Sequence, residues 1–124
     1  MERKTRQRDA IRQVFEEIPR PLGPFEVLDA GRKHVKGLGI ATVYRTINAL
    51  VESAWLVPVE LPGESPRYER AGAEHHHHFR CRECTRVFEI DGCPGDFAGL
   101  APTGFQLEAH EIVLYGRCAQ CVAA

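Results

Sequence analysis

No stretch of this 124-residue chain approaches the roughly 20 consecutive apolar residues of a membrane span, so a membrane role is not expected. A secretory leader is not expected either. The start, Met1-Glu-Arg-Lys-Thr-Arg-Gln-Arg, is charged and never gives way to an apolar segment, which points to a cytoplasmic protein. There is no excess of one charge: the formal net charge of −1 argues by itself for neither nucleic acid nor an anionic surface as partner. Internal repeats are absent, and the only biased tract is four histidines, His75 to His78. The chain is not poor in apolar residues, at 44% with 27% charged, so intrinsic disorder is excluded. Its length admits one modest domain or two very small ones sharing an interface.

What is present is concentrated in the last third. Two pairs, Cys81-x2-Cys84 and Cys118-x2-Cys121, bracket it. Four thiolates in two tight pairs can close a tetrahedron around Zn²⁺, because each pair sits on a short knuckle that aims both sulfurs inward. In a reducing compartment this reading is favoured over disulfides. Cys93 is left over and reads as packed or idle. The histidines are not needed for the tetrahedron and suggest a second metal site of variable occupancy.

Splitting the chain exposes a charge asymmetry. Residues 1–70 hold 12 Lys/Arg against 10 Asp/Glu, and residues 71–124 hold 4 against 7. Arg3, Lys4, Arg6, Arg8 and Arg12 face only Glu2 and Asp9, which makes a local basic arm. Apolar residues at helical spacing predict a helix over 5–18 with Thr5 as N-cap, ended by Pro19 and Pro21. Pro24 suits the first turn of a second helix stopping near Gly31. A third helix is expected over 41–52, with Val43, Ile47, Leu50 and Val51 on one face and Thr42, Tyr44, Arg45 and Asn48 on the other. Extended segments at 55–61 and 66–70 around Pro62-Gly63 read as a β-hairpin. Three helices and a hairpin make the order of a winged helix-turn-helix, whose third helix enters the major groove.

Residues 71–73 (Ala-Gly-Ala) form a natural hinge. Beyond them, strands are expected over 79–81, 87–90 and 105–115, with at most a turn or two of helix near 96–100. So small a half cannot bury a self-sufficient core, and zinc and a partner subunit are expected to supply the missing stability. The fold class is thus α+β. Residues 1–70 form a winged-helix domain, 71–74 a hinge, and 75–124 a small α/β dimerisation and metal-binding domain with a four-cysteine zinc site.

Several segments, taken together, closely resemble the ferric uptake regulator family. They are Gly39-Ile-Ala-Thr-Val-Tyr-Arg-Thr, the histidine run ahead of Cys81, the ending Leu114-Tyr-Gly-Arg-Cys-Ala-Gln-Cys, and Thr5-Arg-Gln-Arg near the start. The resemblance implies a homodimeric, metal-dependent repressor of metal-uptake or homeostasis genes, bound to a palindromic operator in double-stranded DNA. It implies that Thr42, Tyr44 and Arg45 meet DNA from the recognition helix and that Arg3, Lys4 and Arg6 lie in the basic arm. It gives the structural zinc to Cys81, Cys84, Cys118 and Cys121. It assigns a regulatory site to Glu69, His76, His78 and Glu89, and an additional site to His75, His77, His110 and Asp96. Alternation along an extended segment accounts for the pairing, with His76 and His78 on one face and His75 and His77 on the other.

Leu22 stands where iron and peroxide sensors of this family usually carry a histidine, and His34 is the nearest histidine in that domain. Two carboxylates and two imidazoles serve Zn²⁺, Fe²⁺ or Mn²⁺. Zinc ranks slightly ahead of iron, and peroxide sensing third. A zinc-dependent hydrolase is the alternative of another class. With no general base or substrate-binding signature, neither an enzyme nor a small-molecule substrate is expected. A storage or delivery protein would have no use for Tyr44-Arg45 behind a basic arm.

Overall fold

The structure, a computed structural model, describes residues 3–72 and 76–124. The chain divides into two compact units, Met1–Ala73 and Glu74–Ala124.

The first unit is built on three helices. Helix α1 (Arg3–Glu17) buries Ala10, Ile11, Val14 and Phe15, a stripe at the spacing that one helix face requires. It begins at Arg3, so Thr5 lies inside the helix and does not cap it. Helix α2 (Pro24–Gly31) starts where expected, with Pro24 in its first turn, where a missing N–H costs nothing. The Glu26 carboxylate accepts a hydrogen bond from Gly23 N–H (3.2 Å) and pairs with Arg20 (2.8 Å), fixing the entry to this helix. At its end Gly31 is required by contact: a Cβ there would lie 2.6 Å from Leu38 Cδ2. Helix α3 (Ile40–Glu52) turns Val43, Ile47 and Leu50 inward.

These faces meet in one core with Ile11, Val14, Val27, Leu38, Val43 and Ile47, each at most 1% exposed. Full burial of one such side chain is worth roughly 1.5–3 kcal/mol. The wing follows as β1 (Leu56–Val59) paired antiparallel with β2 (Arg67–Arg70), Pro58 lying opposite Tyr68. Leu22 joins it: Leu22 N–H donates to Tyr68 O (2.8 Å) and Tyr68 N–H to Leu22 O (2.9 Å), while its side chain is wholly buried. Position 22 is therefore a core and sheet position.

In the second unit the sheet order is β4-β3-β5, with β3 (His76–Cys81) in the centre, antiparallel to β4 (Val87–Asp91) and parallel to β5 (Val113–Gly116). β3 runs back through the histidines, further than expected from residues 79–81. The third strand is far shorter than expected from 105–115. Its register with β3 starts at His78↔Val113, so β3 has little left to pair with anything earlier. Phe105 and Leu107 are accordingly exposed outside any strand. The short helix expected near 96–100 is a single 3₁₀ turn, Ala98–Leu100, and a C-terminal helix α4 (Ala119–Ala123), not foreseen, follows Cys118.

Candidate metal centres and nucleic-acid interface

The Cys-x-x-Cys pairs are brought together by the parallel pairing of β3 and β5. Cys81 ends β3 opposite Gly116, and Arg82 N–H donates to Gly116 O (2.7 Å), which sets one knuckle against the other. Thr85, at φ 68°, turns the first knuckle, and Cys118 caps α4 to form the second. All five cysteines are free thiols. Cys81 Sγ lies 3.7 Å from Cys121 Sγ, and Cys84 Sγ lies 3.8 Å from Cys118 Sγ. Tetrahedral zinc with Zn–S near 2.3 Å places its sulfurs about 3.8 Å apart, so the four residues fit the ion.

Electrostatics support that fit. The backbone N–H groups of Cys84 and Cys118 both point at Cys81 Sγ (3.4 Å each). Such donors favour the thiolate, and the Cys81 pKa is lowered to about 6, the Cys84 N–H contributing most. The Cys121 thiol is pushed up to about 12, chiefly by burial and then by hydrogen bonds with its neighbouring cysteines. At neutral pH one sulfur is thus charged in advance, while Cys121 must surrender a proton to bind metal. Arg117 ties the knuckles by pairing with Glu83 (2.8 Å) and donating to Cys121 O.

Alternation along β3 sorts the histidines by face. The His76 and His78 rings stand 4.9 Å apart, and the His77 ring faces His110 at 5.1 Å. Glu89 lies directly across from His78 on β4, and its carboxylate is 4.0 Å from His76 Nε2. His76, His78 and Glu89 therefore occupy one patch of the second unit. Glu69 belongs to the first unit, on β2 opposite Val57. His75 lies outside the described residues.

On the other face, His77 and His110 of the additional site that the resemblance implies come together. Asp96 accepts a hydrogen bond from Ala98 N–H (2.9 Å) and starts the 3₁₀ turn. The group that converges is His77, Cys93 and His110, whose ligand atoms all lie within 4.8 Å of one another. Cys93, which reads from sequence as packed or idle, sits with its sulfur 3.2 Å from His110 Nε2. Its spacing to the knuckles carries no metal signature; only the strand ends bring it to the histidines. His34 pairs with Glu17 (3.1 Å).

The first unit presents a separate surface. On α3, Tyr44 is 45% exposed, and the exposed Arg45 guanidinium donates to Thr42 Oγ1 (3.1 Å), which steadies it without neutralising it. Arg3, Lys4 and Arg6 are exposed along the first turns of α1. Trp55 packs edge-on against Phe15 (6.4 Å between centroids), with the guanidinium carbons of Arg12 and Arg70 4.9 Å and 4.3 Å from its ring centre. Those two cations are engaged with the ring, whereas Arg3, Lys4, Arg6 and Arg8 on α1, Lys33 and Lys36 in the loop after α2, and Arg45 on α3 are exposed.

No helix among the described residues is long and apolar enough to cross a membrane. The ferric uptake regulator family model matches residues 2–115. The ferric uptake regulation protein of Campylobacter jejuni is 36% identical over 87 residues, spanning 68% of this chain and 55% of that protein. The chain thus spans about half the length of that relative. The zinc uptake regulation protein of Mycobacterium tuberculosis is 31% identical over 122 residues, covering 96% of this chain and 94% of that protein. Among solved structures, the ferric uptake regulator of Francisella tularensis with iron superposes with a TM-score of 0.71 at 27% identity, over 94% of this chain and 91% of that one. The likeness runs through both units, from the helices of the first to the sheet of the second, and the chain belongs to the ferric uptake regulator family.

Proposed function

We propose that this protein is a homodimeric, metal-dependent transcriptional repressor that senses a divalent cation and controls genes of metal uptake or homeostasis. One observation carries the reading: a patch of two imidazoles and a carboxylate, His76, His78 and Glu89, opens the second unit directly after the wing that ends the first. An ion held there and completed by Glu69 ties the wing to the dimerisation unit. It thereby sets the spacing of two recognition helices against a palindromic operator. Driving such an equilibrium from 1:99 to 99:1 takes about 5.5 kcal/mol of differential binding, which a multidentate site supplies. Tyr44, Arg45 and Thr42 then meet bases or phosphates, and Arg3, Lys4 and Arg6 hold the backbone. The structural zinc belongs to the four knuckle cysteines.

Zn²⁺ is favoured over Fe²⁺ as the sensed ion, with Mn²⁺ behind. The donor set accepts all three. Leu22, buried in the core just before α2, offers no further ligand, which favours four-coordinate zinc over an ion seeking six. The near full-length likeness to the zinc uptake regulation protein of Mycobacterium tuberculosis supports the same choice. The protein acts by binding and not by turnover.

The test is a mobility shift of the full chain on an operator-like palindrome, with the knuckles zinc-loaded, titrated with Zn²⁺, Fe²⁺ and Mn²⁺. Affinity should rise with Zn²⁺ at the lowest free concentration, and His76→Ala should abolish the rise while the dimer persists. Equal affinity with and without every ion would make the protein a constitutive DNA binder and end the sensing proposal.

A further inference from the structure

The three strand ends at one edge of the second unit's sheet bring together side chains of unlike origin. His77 comes from the start of β3. Cys93 comes two residues after β4, past Gly92, whose φ of +84° only glycine adopts freely. His110 comes from the approach to β5. β4 runs antiparallel and β5 parallel to β3, so the end of one and the beginning of the other both arrive beside His77. His77 is buried, Cys93 and His110 are half-buried, and the Phe97 ring covers His110 edge-on at 4.8 Å.

The resemblance places an additional metal site at His77 and His110; we propose that in this chain Cys93 supplies a thiolate ligand to it, so that the site takes Zn²⁺ in preference to Fe²⁺ or Mn²⁺. It is separate from both the cysteine knuckles and the His76/His78/Glu89 patch. In a tetrahedral zinc site, Zn–N near 2.05 Å and Zn–S near 2.3 Å place nitrogen and sulfur about 3.6 Å apart, and two nitrogens about 3.3 Å apart. Cys93 Sγ to His110 Nε2 is already 3.2 Å, and the third ligand atom lies within 4.8 Å, so closure needs side-chain movement of about 1 Å. The fourth position is left to water, as in zinc sites with three protein ligands. Cys93 gives up its thiol proton to solvent as the sulfur bonds to the ion. A thiolate among the ligands is what separates this site from one completed by a carboxylate such as Asp96. Soft sulfur favours zinc, whereas hard oxygen admits manganese and iron.

Filling the site has a mechanical consequence. Ile112 N–H donates to His77 Nδ1 (3.2 Å). If the ion binds Nδ1, it takes the lone pair that Ile112 uses. If it binds Nε2, the neutral ring must carry its proton on Nδ1, which then cannot accept. The Ile112 hydrogen bond opens in either case, and Ile112 leads directly into β5. The ion therefore acts on the strand that carries the second cysteine knuckle. None of this depends on His76 and His78 being sensors or on DNA binding.

The experiment uses the full chain with its knuckles zinc-loaded, titrated with Co²⁺ as a coloured stand-in for zinc. The chain should take up Co²⁺ with thiolate-to-cobalt charge-transfer absorption. Cys93→Ala should bind that ion at least about tenfold more weakly and lose the absorption, whereas His76→Ala should keep it. In the unaltered chain, Zn²⁺ should protect Cys93 from alkylation and shift the Ile112 amide resonance. Absorption equally strong in Cys93→Ala would place the cobalt in the knuckles. That result, or a Cys93 alkylation rate unchanged by Zn²⁺, would overturn the proposal. Loss of the signal in His76→Ala would instead merge this site with the sensing patch and defeat its independence.

Discussion

The two units of this protein hold themselves together by different means. The first closes on a continuous aliphatic core drawn from three helices and the wing, with Ile11, Leu22, Val27, Val43, Ile47 and Leu56 essentially out of water. The second has Val87 as its only buried aliphatic among the described residues, beside Cys81 and Cys118. It leaves Leu100, Phe105, Leu107, Leu114, Tyr115 and Val122 exposed. A unit of that size with its apolar residues outside lacks the hydrophobic stabilisation of the first. On our reading its stability comes from bonds it makes to other things: an ion at the cysteines and a second copy over the exposed apolar residues. A self-sufficient reading head beside a conditional base is what a sensor requires, because only the conditional part should respond to the ion.

Removing the zinc should show the contrast most sharply. Structural zinc contributes on the order of 10–16 kcal/mol in small peptides, more than a typical domain's entire margin. Cys81→Ser, or chelation, should therefore unfold residues 74–124 and dissociate the dimer while amides of α1 to α3 keep their hydrogen-exchange protection. Acid should follow the same route. The Cys81 pKa lies below its unfolded value of 9.0, so without metal its contribution is full above that value, declines as pH falls and is lost as pH passes through about 6. Protonation of the ligand thiolates in acid should release the zinc with helical circular dichroism retained. A zinc-free, dimeric Cys81→Ser protein would break the comparison.

The reverse cut is Ile47→Ala. A fully buried isoleucine on α3 reduced to alanine should cost about 2–5 kcal/mol, through the apolar burial removed and the cavity left behind. Thermal melting should show the first unit weakened and DNA affinity lowered, with zinc content unchanged. Equal loss of zinc would mean that the second unit leans on the first for its fold.

The same division governs how much of the structure is legible in the sequence. The helices of the first unit are legible nearly to the residue, because Pro24, Gly31 and the 3.6-residue stripe in α3 each act locally. Thr5 misleads because a capping residue type does not fix where the helix starts when Arg3 and Lys4 are themselves good helix formers. In the second unit the knuckles are legible because their chemistry is encoded in spacing. The extent of β5 is not, since apolar residues over 105–112 look like strand, yet pairing with β3 fixes its beginning at Val113. Cys93 is the larger omission. Nothing near it in sequence marks a ligand, and its neighbours His77 and His110 lie 16 and 17 residues away on either side, joined only by sheet topology.

Recognition should depend on the first unit's surface alone, with smaller energies. If Arg45 reads a guanine, Arg45→Ala should cost about 1–3 kcal/mol and relax preference at one base pair of each half-site. Metal affinity and thermal stability should both stay put, because the side chain is exposed and its guanidinium is held within the protein by Thr42 Oγ1, itself on the same helix.

Neutralising Lys4 should be subtler still. An arm residue that touches only phosphate carries no sequence information, so binding to operator and to random DNA should weaken alike. The slope of log affinity against log salt should flatten by about 0.9 for each phosphate that the arm no longer neutralises. A change in base preference with the slope intact would move Lys4 from the backbone into a groove. A change in metal response would mean that the reading head senses as well as reads, and the separation of roles between the two units would fall.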